Sequence, residues 1–495
     1  MRKFVCVKKM MPVAGICLLS ATFALQAQEQ PLTLDLNRAL EIAMSENPTV
    51  KVADQEIEKK KYARKGAYAA LFPQISLSGD YSRTLKKQVM YMDMDGGFGL
   101  ESMMEPTFRG IEQTFASQVP GYTPGTLMKE IIAASPPPDP SAGAEGISIG
   151  RDNNWSTGFT AGMPLVNAAL WKSLSISAID VELSVEQARA SKIDMANQVK
   201  KSYYGVLLAN DSYRVFKESY DNAVANYRDI KNKFDQGMVA EYDLIRAGVS
   251  VKNLEPNLLQ AENAATLSKW QLKALLGVDL ELAIECEGRL SDFESELFAD
   301  YVSTLDDVGL DDNSTLKQLD IQARLLKGTL EMQKLDFLPT LSLSALYQWS
   351  SMNNDFRFRD YRWNPYSMVG LSVSMPIFSG GSRLNKVKQT RVSLHQLGLQ
   401  RDDAERSLQL AVKQFRDNMR TCVKRFDAAQ KGVEQAGRGY EIARKRYDTG
   451  AGTLLEMNDA ELAMMQAKLN FNQAIYDYMT AKSELEKIEG KQYVK

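Results

Sequence analysis

One histidine, His395, serves the whole 495-residue chain. Histidine is the side chain that titrates near neutrality and the commonest metal ligand, so its scarcity removes histidine metal clusters and the Ser-His-Asp triad. His395 falls in the middle of a helical stretch and reads as structural. Four cysteines, at 6, 17, 286 and 422, form no CxxC pair. Met90, Met92 and Met94 alternate, with Met103 and Met104 beyond. Thioethers can hold soft metals, but this spacing reads as a strand extension with adaptable apolar side chains. No catalytic residue, metal site or cofactor is therefore expected. The charge balance, 60 basic against 62 acidic residues, offers no field for nucleic acid. An enzyme is an awkward fit to this composition.

The N-terminus reads as a secretory signal peptide over residues 1–27. Arg2, Lys3, Lys8 and Lys9 form a basic stretch, an apolar run spans Met10–Leu25, and Leu25-Gln26-Ala27 supplies a small residue before the cut. The mature chain then carries 56 basic and 62 acidic residues and two cysteines, Cys286 and Cys422, too few for a disulfide scaffold. No later run holds the 18 apolar residues of a membrane-spanning helix.

The remainder is one pattern written twice. At an offset of 266, Asn47 falls on Asn313, Thr49 on Thr315, Lys51 on Lys317, Pro73 on Pro339, Ser76-Leu77-Ser78 on Ser342-Leu343-Ser344, and Tyr81 on Tyr347. At 212, Met163-Pro164 falls on Met375-Pro376. At 213, Phe234-Asp235-Gln236-Gly237 falls on Tyr447-Asp448-Thr449-Gly450, and Gly277 on Gly490. The change of offset leaves about 54 extra residues in the first copy, between Pro73 and Pro164. The first copy spans 28–311 and the second 312–495.

Each copy needs a long helical hairpin and two strands. Stretches 167–235 and 382–448 lack proline and are rich in Ala, Leu, Lys, Gln, Arg and Glu. At 1.5 Å per residue each helix would run roughly 100 Å. Gly237 and Gly450 read as helix C-caps, and return helices follow, giving hairpins over about 167–277 and 380–489. The apolar positions are only loosely heptadic, as in a helix packed on two sides within a tube wall. Past the paired prolines the period becomes two, giving strands at about 74–84, 154–163, 340–350 and 367–376. Apolar on one face and small or polar on the other, these match strands of a membrane β-barrel. Four cannot close a barrel, and an open edge is intolerable in lipid, so oligomerisation is required. Pro73, Pro164, Pro339 and Pro376 are expected at helix–strand junctions. Residues 85–153, with seven of the 16 prolines, read as a long, partly irregular extracellular loop.

The ordered, duplicated set of Leu32-Thr-Leu-Asp-Leu-Asn-Arg-Ala-Leu-Glu-Ile-Ala, Glu46-Asn-Pro, Leu71-Phe-Pro-Gln-Ile-Ser-Leu-Ser, Phe337-Leu-Pro-Thr-Leu-Ser-Leu-Ser, Ser374-Met-Pro-Ile-Phe-Ser-Gly-Gly and Arg446-Tyr-Asp-Thr-Gly resembles the TolC-like outer-membrane efflux protein family over nearly the whole mature chain. The resemblance implies a mainly α fold with membrane β: a homotrimer with a 12-stranded β-barrel, four strands per chain, continuing into a periplasmic α-helical barrel. A mixed equatorial region would take 31–47, 278–312 and the C-terminal tail. It also implies an exit duct in outer-membrane lipid, passing drugs, small molecules or proteins from an inner-membrane pump through a periplasmic adaptor. Family members close the tube at the hairpin tips, and the matching positions here are Tyr242, Asp243, Tyr447, Glu456 and Asp459. Tyr447 with Asp243 would form a latch, and Gly237 and Gly450 would mark the adaptor-docking tips. Gly452 stands where some members carry a latch arginine, so a latch resting on that charge is not expected. The competing reading is a coiled-coil structural or adhesive surface protein. Alternating strands, tip motifs and the duplication favour the duct.

Overall fold

The computed structural model describes residues 32–90, 100–125, 129–130, 134, 147–295, 297 and 309–492. The signal-peptide stretch, Cys6, Cys17, Met92 and Met94 lie outside them. The chain divides into two compact units. One holds the hairpins and a small mixed region (up to Lys60, Asp180–Arg324 and from His395), the other the membrane-type sheet (Lys61–Ile179 and Leu325–Leu394).

The hairpin unit is built on two very long helices, α4 (Ala168–Asp235, 68 residues) and α7 (Ser382–Asp448, 67 residues), each contributing its greater part. Their returns are α5 (Glu241–Leu276) and α8 (Leu454–Glu489). Neither long helix contains proline, so the i→i−4 ladder runs unbroken. Pro256 lies inside α5 without ending it. Helices α4 and α8 pair along their lengths. Lys200 bonds Glu486 at 2.7 Å, Lys201 bonds Glu484 at 2.7 Å, Ser483 donates to Asn197 at 2.7 Å, and Lys468 reaches Glu218 at 2.8 Å. Phe426 of α7 packs on Phe471 of α8, ring centroids 5.3 Å apart. The main core gathers Tyr203, Leu207, Leu272, Leu276, Phe426, Ile475 and Tyr478, all at most 2% exposed.

The mixed region explains the paired residues seen in the sequence. Strand β1 (Leu32–Leu34) runs parallel to β6 (Ile284–Cys286). Helix α1 (Leu36–Glu46) starts at an Asp35 cap whose side chain accepts from the Arg38 N–H at 2.7 Å. Between α1 and α2 (Pro48–Ala69), Asn47 Nδ2 donates to the Leu275 carbonyl at 2.6 Å and its Oδ1 accepts from the Thr49 N–H at 2.7 Å. In the second copy, ahead of α6 (Ser314–Leu335), Asn313 donates to Ile488 O at 2.8 Å and accepts from the Thr315 N–H at 2.9 Å. Lys51–Glu46 and Lys317–Asp312 repeat as ion pairs at 2.8 and 2.6 Å. Each asparagine thus caps the helix that follows it and satisfies a carbonyl at the end of a return helix. Both return helices end on a glycine with positive φ, Gly277 (+73°) and Gly490 (+73°). A Cβ at 490 would stand 2.1 Å from the Asp312 carbonyl oxygen. Cys286 and Cys422 are buried free thiols, and burial pushes Cys286 up to about 11.

The sheet unit orders its antiparallel strands β2 (Gln74–Arg83), β5 (Asn153–Val166), β7 (Thr340–Asn353) and β8 (Asn364–Ser374) as β2-β5-β7-β8. Ile75 pairs with Ala161, Leu77 with Phe159 and Tyr81 with Trp155. Phe159 pairs with Tyr347, while Ala345 faces Val369 and Leu343 faces Leu371. These side chains share one face, and several stand in the open: Ile75 72%, Val369 75%, Val373 69%. The other face is small and polar, with Ser76 against Thr160 at 2.6 Å and Ser342 against Ser372 at 2.8 Å. Gly158 allows the strands to approach, since a Cβ there would lie 2.5 Å from the Tyr347 carbonyl oxygen. Among the described residues no helix is long and apolar enough to cross a membrane.

One junction expectation needs correcting. Pro73 and Pro339 immediately precede β2 and β7. Pro164 instead lies within β5, paired with Ser342 at a register irregularity, where a missing N–H is tolerated. Pro376 lies in the connection between β8 and α7, two residues past the strand. The turn there falls to Gly380 and Gly381, both at positive φ. Within 85–153, a short hairpin of β3 (Gln88–Met90) with β4 (Ile147–Ile149) and helix α3 (Leu100–Gln118) replace part of the expected irregular loop.

Asn313→Ala leaves a buried carbonyl and a helix N-terminus without their partner. It should lower the unfolding free energy by about 1–3 kcal/mol, read from denaturant titrations in detergent.

Candidate gate at the hairpin tips

Both hairpins turn by the same device. Gly237 (φ +70°) donates to the Phe234 carbonyl at 2.7 Å while the Met238 N–H reaches Lys233 O at 2.9 Å. Gly450 (φ +75°) donates to Tyr447 O at 3.0 Å and Ala451 to Arg446 O at 2.8 Å. This pair of bonds is a Schellman closure, and it requires the left-handed conformation that glycine adopts without strain. The second hairpin restarts with a capping box. Thr453 Oγ1 accepts from the Glu456 N–H at 3.2 Å, and the Thr453 N–H donates to Glu456 Oε2 at 3.4 Å.

Beneath the tips the two hairpins share a small core. Ile230, Ala247, Tyr440, Leu454, Met457 and Met464 are buried, with Tyr227, Val239, Leu244 and Tyr447 packed against them. Tyr447 is the one expected gate residue within this core. Lys233 Nζ lies 5.4 Å from its ring centroid, a cation–π distance. Burial first, and then the negative charge of Asp243, raise its hydroxyl above the ordinary tyrosine value. Asp243 is half-buried in the first turn of α5, where the helix dipole favours an acid. The structure therefore brings Tyr447 and Asp243 into one electrostatic neighbourhood. No direct hydrogen bond joins them among the described residues.

The other three positions behave differently. Tyr242 is 67% exposed and Asp459 is exposed. Glu456 is held by the capping box and by Arg446, whose Nη1 lies 3.7 Å from Oε2. A Cβ at Gly452 would meet Arg446 Cβ at 3.0 Å and Glu456 Oε2 at 3.2 Å. Glycine at 452 thus makes room for an Arg446–Glu456 contact across the turn. The sequence pattern Thr453-x-x-Glu456 announces that cap, whereas the motif Arg446-Tyr-Asp-Thr-Gly gives no sign that Arg446 pairs with Glu456.

Glu461 was not singled out by sequence and is the most perturbed group near the tips. One turn and a half along α8 from Glu456, it is 7% exposed. Asn222 of α4 hydrogen-bonds its carboxylate, while Oε1 is buried without a partner. Burial raises its pKa to about 7, against the opposing influence of Asn222 and of Arg444 on α7, with Glu218 on α4 adding repulsion. A carboxylate in an i, i+3 or i+4 helical pattern carries no sign of its burial, which only the meeting of three helices creates.

The profile of the outer membrane efflux protein family matches residues 139–278 and 309–491. The chain belongs to that family, and it is an outer-membrane channel subunit of the TolC-like kind. Outer membrane protein TolC of Vibrio cholerae is 21% identical over 338 residues, covering 68% of this chain and 76% of that protein. The alkaline protease secretion protein AprF of Pseudomonas aeruginosa is 24% identical over 304 residues, covering 61% and 63%. Among solved structures, the CmeC outer membrane channel of Campylobacter jejuni superposes with a TM-score of 0.65 at 18% identity, covering 92% of this chain and 85% of that one.

The raised Glu461 pKa fixes the sign of a pH effect. The folded state binds its proton more tightly than the unfolded chain does, so burial of the charged form costs nothing below the ordinary carboxylate value of 4.5 and progressively more as pH rises through about 7. Glu461→Gln should therefore be neutral near pH 4 and stabilising, by up to about 3 kcal/mol, near pH 8. Denaturation midpoints of both proteins across that range measure it.

Proposed function

We propose that three copies of this chain assemble into one passive exit duct that is closed at the hairpin tips until a partner opens it. The observation that carries this reading is the sheet. It has an apolar face, a polar face and, among the described residues, two unpaired edges, on β2 and β8. Unpaired backbone groups cannot face hydrocarbon, and closed membrane barrels need about eight or more strands. Pairing β8 of one copy with β2 of the next removes every edge at twelve strands.

The hairpin unit has the matching property. Its lateral order places α4 and α8 inside and leaves α5 and α7 as edges. Tyr242, Ile245, Val249, Leu259 and Trp270 form an exposed row on α5, spaced by 3, 4, 10 and 11 residues, which keeps them on one helix face. Leu399, Leu410 and Ile442 stand out of α7. A neighbouring copy's α7 against this α5 seam supplies the two-sided packing that the loose heptads require.

In that assembly Tyr242, Asp243, Tyr447, Glu456 and Asp459 form threefold rings around the axis, with Asp243 and Asp459 the free carboxylates. Acidic rings favour cations and repel anions. The partners are a periplasmic adaptor, received on the tips at Gly237 and Gly450, and an inner-membrane pump that supplies the energy. The cargo is drugs, small molecules or proteins. Residues 1–27 would be removed on export, leaving repeats 28–311 and 312–495.

Purified protein in planar bilayers should show small, mostly closed, cation-preferring conductance. Asp243→Ala with Asp459→Ala should raise the open fraction and weaken cation preference several-fold. Protein that never inserts, or that remains a soluble monomeric rod, sinks the reading.

A further inference from the structure

The helices all join the sheet at one end: α2 leads into β2, β5 into α4, α6 into β7, and β8 leads on to α7. The opposite end carries the 354–363 connection between β7 and β8, and with the helices in the periplasm this end meets the outer leaflet. Its sequence, Asp355-Phe-Arg-Phe-Arg-Asp-Tyr-Arg-Trp363, interleaves four aromatic residues with three arginines, interrupted by the exposed Asp360.

The interleaving is expressed in the structure. Phe358 packs edge-on against Trp155 at 5.1 Å, and Phe356 lies 6.1 Å from Tyr81. Tyr81 and Trp155 themselves stack across β2 and β5 at 4.3 Å, on the same apolar face as Ile75 and Leu77. Tyr361 is buried against Phe358, and its hydroxyl donates to the Asp355 carbonyl. The connection is thus pinned by its aromatics onto the lipid-side rim of the sheet, not over the polar face. The residues between them, Arg357, Arg359 and Arg362, are all exposed. None has an ion-pair partner among the described residues. Asp355 uses Oδ1 to accept from the Arg357 backbone N–H at 3.2 Å.

We propose that Arg357, Arg359 and Arg362 form a collar that binds the phosphate groups of an anionic glycolipid in the outer leaflet. Guanidinium groups bind phosphate oxygens in a planar, bidentate manner. Aromatic side chains of this kind settle at the headgroup level of a bilayer, and clustered basic residues beside them draw anionic headgroups. The collar repeats three times around the proposed trimer and would tie the barrel rim to the surrounding lipid. The competing occupant is the chain's own insertion, which carries eight acidic and two basic residues between 88 and 150.

The proposal rests on the outer-membrane duct reading, so trimer mass and bilayer conductance are checked on the same preparations. Full-length protein in detergent is titrated with bisphosphorylated lipid A, with its dephosphorylated form, and with orthophosphate, and bound lipid is read by native mass spectrometry. Wild type should retain the bisphosphorylated lipid at least about tenfold more tightly than R357Q/R359Q/R362Q. The dephosphorylated lipid should not distinguish the two proteins, and millimolar orthophosphate should not compete. If the triple variant fails to assemble, R357Q and R359Q singly read the same difference at smaller size. Equal retention by wild type and variants overturns the proposal, as it would if the insertion's carboxylates already neutralise the arginines. Displacement by millimolar orthophosphate overturns the lipid as the source of the phosphate.

Discussion

A backbone N–H or C=O left unpaired in hydrocarbon costs several kcal/mol. The rest of this structure depends on that constraint. A sheet of four strands pairs its interior edges through β2-β5-β7-β8 and leaves two rows of donors and acceptors bare. Nothing within the chain covers them among the described residues. The protomer is consequently an incomplete object, and its duplicated architecture is a way of presenting complementary edges rather than of enclosing a core. The helices obey the same logic with side chains instead of backbone. Exposed apolar rows on α5 and α7 are edges of a helical wall that has α4 and α8 at its centre.

The equatorial joints show how such long elements are kept in register. Helices near 70 residues cannot be fixed by a compact core at one end. Here Asn47 and Asn313 each tie the start of one helix to the end of another, with two side-chain polar groups serving two backbone groups. Glycines at positive φ follow, and one sits so close to the neighbouring carbonyl that any side chain would collide. The same joint occurs at both places, with the same residue types making the same bonds. Of the offset-266 pairs, Asn47/Asn313, Thr49/Thr315 and Lys51/Lys317 supply these contacts.

The tips were legible in part. Gly237 and Gly450 were readable as caps, because a glycine after a long proline-free helical stretch has few other uses, and the structure gives both the same Schellman closure. Tyr447 and Asp243 were marked only by likeness to a family, and the structure places them in one electrostatic neighbourhood without a bond. Glu456 was marked as a gate position by the same likeness, and its capping box and Arg446 hold it locally. Gly452, read as the loss of an arginine, instead leaves space for that contact. Glu461 could not be found from sequence, since its helix periodicity resembles that of any solvated acid.

By itself the sequence determined the periodicities, and through them the two long hairpins, the four alternating strands and the duplication. These are local properties, written in which residues follow which. Only the tertiary structure decided which strand neighbours which, that Pro164 sits in a strand irregularity and not at a junction, that Asn47 and Asn313 join separate helices, and that a carboxylate on α8 is stripped of water. The physical reason is that hydrogen-bond partners and desolvation depend on elements hundreds of residues apart, and no one-dimensional pattern records that proximity.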